Sequence, residues 1–64
     1  MLAKAKISSI NITANTAELI LLEYDNAVTA PIPFYKPGAA TFASIGEFVV
    51  LAVFNDDFND SVIM

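Results

Sequence analysis

The sequence predicts an all-β protein, a five-stranded sheet curled into a small barrel. Apolar residues either alternate with polar ones or form short solid runs, as they do in half-buried and fully buried strands. The runs are separated by Asn, Asp, Pro and Gly, the residues that favour turns. With only 64 residues, the chain has room for one domain, spanning 1–64, and one small core.

The first strand is predicted over residues 4–13, where Ile10 and Ile12 alternate with Ser9, Asn11 and Thr13. Ala14, Asn15 and Thr16 then break the pattern. Residues 17–24 contain the solid run Leu19 to Leu22, which by period alone suits a strand or a short helix. An isolated helix of this length is marginal, so length favours a strand. Asp25 and Asn26 signal a turn, and 27–34 follows as a third strand with Val28, Ala30, Ile32 and Phe34 on one face. Pro31 and Pro33 on the other face remove two ladder donors, so this strand should lie at an edge or end early.

Pro37 and Gly38 mark a break, and 39–45 is a short helical or irregular connector. Gly46 and Glu47 open the strongest strand, Phe48 to Phe54, rich in β-branched and aromatic residues. Residues 55–60 read as a turn by composition, and Ser61 to Met64 as a short closing strand.

Two strands carry more apolar surface than one barrel interior needs. Phe48, Val50, Ala52 and Phe54 oppose Val49, Leu51 and Val53, and Leu19 and Leu21 oppose Ile20 and Leu22. Each Leu, Ile, Val or Phe left in water forgoes about 1.5–3 kcal/mol, and a large exposed apolar patch marks an interface. The expectation is a homo-oligomer, or a subunit of a larger assembly. Its interface is assigned to Leu19, Leu21, Val49, Leu51 and Val53, or to the opposite faces, since alternation does not say which face points inward.

The chemistry available is narrow. Hydrophobic side chains make up 56% of the chain, and it contains no His, Cys, Trp or Arg. Zinc sites of the usual kind, thiol redox centres, imidazole bases and Ser-His-Asp triads therefore cannot be built from it. No catalytic, cofactor-binding or metal-ligating residue is expected, and the protein is read as a non-enzyme. Asp56, Asp57 and Asp60, with Asn55 and Asn59, suggest calcium, but the central Gly and distal Glu of a calcium loop are missing. A solvated turn is the favoured reading. Glu47 is read as an exposed residue at the start of a strand, having no second carboxylate at a catalytic spacing.

Tyr24, Phe34, Tyr35 and Phe42 could form a stacking platform for single-stranded nucleic acid. The three lysines are scattered and the net charge is −4, so the electrostatic half of such a site is missing and nucleic acid is not an expected partner. The apolar stretch 38–54 is at the short limit for a membrane span. Gly38, Gly46 and Glu47 argue against membrane insertion. The first residues lack the apolar segment of a secretory signal, so export is not expected.

Residues 46–54, an acidic turn, and Val62-Ile63-Met64 together resemble a known pattern. It is the Gly-Asp/Glu-x-Val-x-Leu/Val-x-Phe strand, acidic loop and final apolar triplet of the OB-fold domain in phage baseplate assembly protein V and related tail-spike hubs. Ile32-Pro33-Phe34-Tyr35 is similar to the apolar-Pro-apolar step before that family's connector, and 7–12 with 17–24 to its opening hairpin. Two departures stand out: the usual Gly after the last triplet is missing, and so is a downstream spike. The resemblance implies an OB-like Greek-key barrel and a non-enzymatic structural part of a phage tail, baseplate or spike. It implies three copies around the tail axis, other structural proteins as neighbours, and a place in the virion; otherwise the protein would be cytoplasmic. The alternative is a small OB- or SH3-like module that binds single-stranded nucleic acid or peptide.

Overall fold

Ten residues, Leu2–Asn11, form β1, the central strand of the sheet, pairing antiparallel with both of its neighbours. The computed structural model describes residues 1–64, apart from the side chain of Asn59. β1 begins two residues earlier than the pattern predicts and ends before Ile12, which is 62% exposed in the turn. The ends of β1 are set by pairing, Leu2 with Ala52 and Asn11 with Thr16, and a bulge lies between them. The register steps from Ile7↔Leu19 to Ser9↔Glu18, so Ser8 has no opposite number. The extra residue reverses the alternation, and Ile7 and Ile10, three positions apart, both turn to the core.

β2 (Thr16–Leu21) stops short of the predicted end, because 22–26 turns back with Asp25 and Asn26 at φ 55° and 58°. The predicted third strand forms as two short pieces, β3 (Ala27–Val28) and β4 (Ile32–Pro33), both paired with β2. Between Ile20↔Val28 and Ala17↔Ile32 the third strand gains one residue over β2, a bulge that holds Pro31 where no ladder donor is needed. Thr29 spans the gap: its N–H donates to the Leu19 carbonyl at 2.8 Å, and its Oγ1 accepts the Leu19 N–H at 3.1 Å.

The predicted connector is a single 3₁₀ turn, Ala39–Phe42, preceded by Gly38 at φ 76°. Its anchor is Asn15, itself at φ 56° in the β1–β2 turn. Asn15 Nδ2 donates to the Lys36 carbonyl at 3.1 Å, its Oδ1 accepts the Ala40 N–H at 3.0 Å, and its carbonyl accepts the Phe34 N–H at 3.1 Å. One turn residue thus holds the connector across the end of the sheet. β5 (Phe48–Phe54) follows as predicted and pairs with β1.

β6 (Asp57–Ile63) starts earlier than expected, because the turn is only Asn55 and Asp56, at φ 55° and 53°. Two positive-φ residues make the tight turn whose twist matches an antiparallel pair. The register then jumps from Phe54↔Asp57 to Val53↔Ser61. Residues 58–60 bulge, closed by the Ser61 hydroxyl donating to the Phe58 carbonyl at 2.6 Å. The polar composition of 55–60 is therefore divided between a turn and a bulge.

The strands run β3-β2-β1-β5-β6, with β4 also on β2, in a curled antiparallel sheet that forms a half-barrel. β4 and β6 meet at a parallel bridge, Phe34↔Ile63, where the Tyr35 N–H donates to the Ile63 carbonyl at 2.7 Å. The concave side is filled by small residues set against large ones. Ala3 faces Leu51, Ala5 lies between Leu21 and Val49, and Ala17 between Ile10 and Ile32. Ile7, Leu19, Ile32, Leu51 and Ile63 are the largest fully buried side chains. The alanines let these reach the middle of a narrow interior.

Candidate functional site

The convex side of β1, β5 and β6 is the feature the fold leaves unexplained. In β1, alternation with the buried set Ala3, Ala5 and Ile7 turns Leu2, Lys4 and Lys6 outward. Register carries this orientation to the next strand, because Lys6 pairs with Phe48, Lys4 with Val50 and Leu2 with Ala52. Ala52 in turn pairs with Val62, and the Met64 N–H donates to the Val50 carbonyl at 3.0 Å. The result is an apolar surface on which Leu2 is 69% exposed, Phe48 70%, Phe54 51% and Met64 68%.

A shallow depression of about 860 Å³ lies on this surface, lined by Leu2, Lys4, Leu22, Glu47, Phe48, Val49, Val50 and Met64. Its charged groups are one lysine and one glutamate. The Glu47 carboxylate accepts the Ser44 N–H at 3.1 Å, which holds it at the rim, and the Lys6 ammonium lies 5.8 Å from the centre of the Phe48 ring. Nothing in this arrangement supplies a nucleophile beside a base.

The interface residues that the sequence predicts lie mostly in the core. Leu19, Leu21, Leu51 and Val53 are buried within the chain, and Val49 is half-buried against the same core. Leu19, Leu21, Leu51 and Val53 fill the concave side and are not available as an outer surface, Val49 packs on the core and also lines the depression, and the opposite faces, with Phe48, Val50 and Phe54, point outward. Charge alternation held the clue: Lys4 and Lys6 mark the outer face of β1. What could not be read was that β1 and β5 are neighbours in this register.

The aromatic platform does not assemble as a unit. Phe34, Tyr35 and Phe42 line a hollow of about 440 Å³ with Lys36, between the connector and the end of β6. Tyr24 does not line that hollow, and its ring lies 5.1 Å from that of Phe58 in an edge-to-face contact. That contact ties the segment after β2 to the bulge in β6. Asn55 Nδ2 donates to Asp60 Oδ2 at 3.3 Å. Among the described residues, no group of three or more acidic side chains is placed to hold a metal ion, and no helix is long and apolar enough to cross a membrane.

No family model matches the chain, and no curated protein or solved structure matches it.

Proposed function

We propose that this chain is a non-enzymatic structural protein that works by self-association through the convex face of β1, β5 and β6. The observation that carries the reading is the exposed apolar surface centred on Phe48 and Val50. Burying side chains of this kind is worth about 1.5–3 kcal/mol each, and a surface that gathers several in one place has the composition of an interface core.

We further propose that the half-barrel completes a five-stranded OB-like barrel, with β3 and β4 acting together as its third strand. Support comes from the parallel bridge between Phe34 and Ile63, which joins the third strand to the last. OB folds are partly open Greek-key barrels of this size. The setting proposed for the protein, a phage tail, baseplate or spike in which it is packed with other structural proteins, rests on the resemblance of 46–54 and 62–64 to tail-hub OB domains.

The test is the mass of the protein in solution. Val50 is 41% exposed on the convex face, opposite Lys4. Light scattering should give an oligomer for the wild type and a folded monomer for Val50→Asp. A wild type that stays monomeric at millimolar concentration would refute the reading. A second reading, a module for single-stranded nucleic acid or peptide, draws on the Phe34, Tyr35, Phe42 and Lys36 hollow. Oligonucleotide binding with a steep salt dependence would favour it.

A further inference from the structure

We infer that the connector is a hinged strap: residues 39–45 open as a unit while the sheet stays folded, and the Asn15 side chain is the latch that holds them shut. The inference does not depend on the self-association proposed above. It concerns the wall of the smaller hollow.

A segment opens separately when little apolar surface and few long-range bonds are lost in doing so. Ala40 is the buried residue of the 3₁₀ turn, and Ala39 and Ala43 are half-buried. The two large apolar side chains of the strap lie in water, Phe42 88% and Ile45 70% exposed. The core therefore gives up only alanine contacts when the strap leaves. Its backbone bonds are equally local. The Ala39 N–H donates to Lys36, Thr41 to Gly38 and Ala43 to Ala40, each to a carbonyl three residues back. Ser44 and Glu47 bond each other in a further turn, through the Ser44 carbonyl and the Glu47 carboxylate, at 3.1 Å in both cases. Among the described residues, the Asn15 side chain alone supplies hydrogen bonds from the rest of the chain to 36–45.

A glycine of positive φ stands at each end of the strap. Gly38 is at φ 76°, with nothing within 4 Å of where a β-carbon would stand, and Gly46 is at φ 90°. Glycine changes backbone conformation without the clash that a β-carbon brings, so both can act as hinges. Asn15 bonds on either side of the first, to the Lys36 carbonyl and the Ala40 N–H, and so fixes its angle. Beyond the second the sheet resumes, with the Gly46 N–H on the Ile7 carbonyl at 2.8 Å and the Ile7 N–H on the Glu47 carbonyl at 2.9 Å. The strap supplies Ala39, Phe42 and Ala43 to the hollow, and the strands supply Phe34, Val49 and Ile63. Opening uncovers that second set. Glu47, Val49 and Met64 line the convex depression as well, so the open strap joins hollow and depression in one apolar trough.

The experiment is native-state hydrogen exchange on the full chain, followed by NMR at low urea concentrations, for wild type, Asn15→Gly and Asn15→Asp. Glycine suits the φ of 56° at this position and keeps the backbone bond to the Phe34 N–H. After correction for intrinsic rates, the Ala40, Thr41 and Ala43 amides of wild type should share one rate, about a hundredfold or more above the slowest ladder amides of β1 and β5. That rate should be nearly flat in urea, while the ladder amides speed up steeply. Asn15→Gly should speed all three strap amides about tenfold, the effect of losing one or two hydrogen bonds, although only the Ala40 amide bonds to the Asn15 side chain. Asn15→Asp can still accept the Ala40 N–H but cannot donate to the Lys36 carbonyl, and should fall between. If the three wild-type amides match the ladder amides in rate and urea dependence, the connector unfolds only with the whole chain. If Asn15→Gly speeds Ala40 alone, a single bond breaks and no strap moves. Either result overturns the inference.

Discussion

Leu51 and Val50 are adjacent in sequence, yet replacing each by aspartate should have opposite consequences. Leu51 is fully buried, paired in register with Ala3 and Ile63. Truncating such a leucine to alanine costs about 2–5 kcal/mol, and an unpaired carboxylate in the same place adds several more. A chain of 64 residues has roughly 3–10 kcal/mol of stability in total, at about 0.05–0.15 kcal/mol per residue. Leu51→Asp therefore uses all of it, and the protein should be unfolded at room temperature. Leu51→Ala should fold but melt about 10 °C or more below wild type, since 1 kcal/mol moves the midpoint of a domain this size by about 4–8 °C. Val50→Asp faces water in the single chain and should stay folded, its cost near the roughly 1 kcal/mol span of strand propensities. Thermal melts followed by circular dichroism distinguish these cases. A cooperative Leu51→Asp transition within a few degrees of wild type would mean that the inward and outward faces of β5 have been exchanged.

Substitutions at three further positions probe the joints of the fold. Asn15→Ala removes the hydrogen bonds to Lys36 and Ala40 and leaves a β-carbon at φ 56°. It should cost about 2–3 kcal/mol in urea unfolding, whereas Asn15→Gly, which tolerates that φ, should cost about 1–2 kcal/mol. Thr29→Val leaves the Leu19 N–H without its acceptor, so stability should drop by about 1–3 kcal/mol and the Leu19 amide should exchange faster by NMR. Asp56→Gly puts glycine at φ 53° in the tight turn and should raise stability by about 0.5 kcal/mol, read as a higher urea midpoint, as positive φ costs glycine little.

The strands were legible in the sequence to the extent that their side chains had one partner surface. The run from Phe48 to Phe54 is so rich in β-branched and aromatic residues that neighbours add nothing to its assignment. The prolines at 31 and 33 announce an edge strand or an early end, because a missing N–H is a local fact, but not that the strand divides into two pieces. Bulges are different. Nothing around Ser8 signals that the register with β2 slips there, and the slip decides that Ile10, three positions after Ile7, also packs on the core. In the same way, Asn55 to Asp60 is turn-like throughout by composition. Whether it forms one long loop or a two-residue turn and a bulge depends on how Ser61 pairs with Val53.

The candidate surface divides along the same line. Alternation along β5 and β2 dictates two apolar faces, and the lack of His, Cys and Arg removes imidazole, thiol and guanidinium chemistry; both are properties of the chain alone. The tertiary structure decided which face became the core. Ala3, Ala5 and Ala17 are small enough to let Leu19, Leu51 and Ile63 fill a narrow interior. The lysines of β1 cannot be buried cheaply, so the face they share with Phe48 and Val50 was left to water. The pairing of β1 with β5 joins residues more than forty positions apart, as in Lys4 with Val50, and no local pattern encodes a neighbour at that distance.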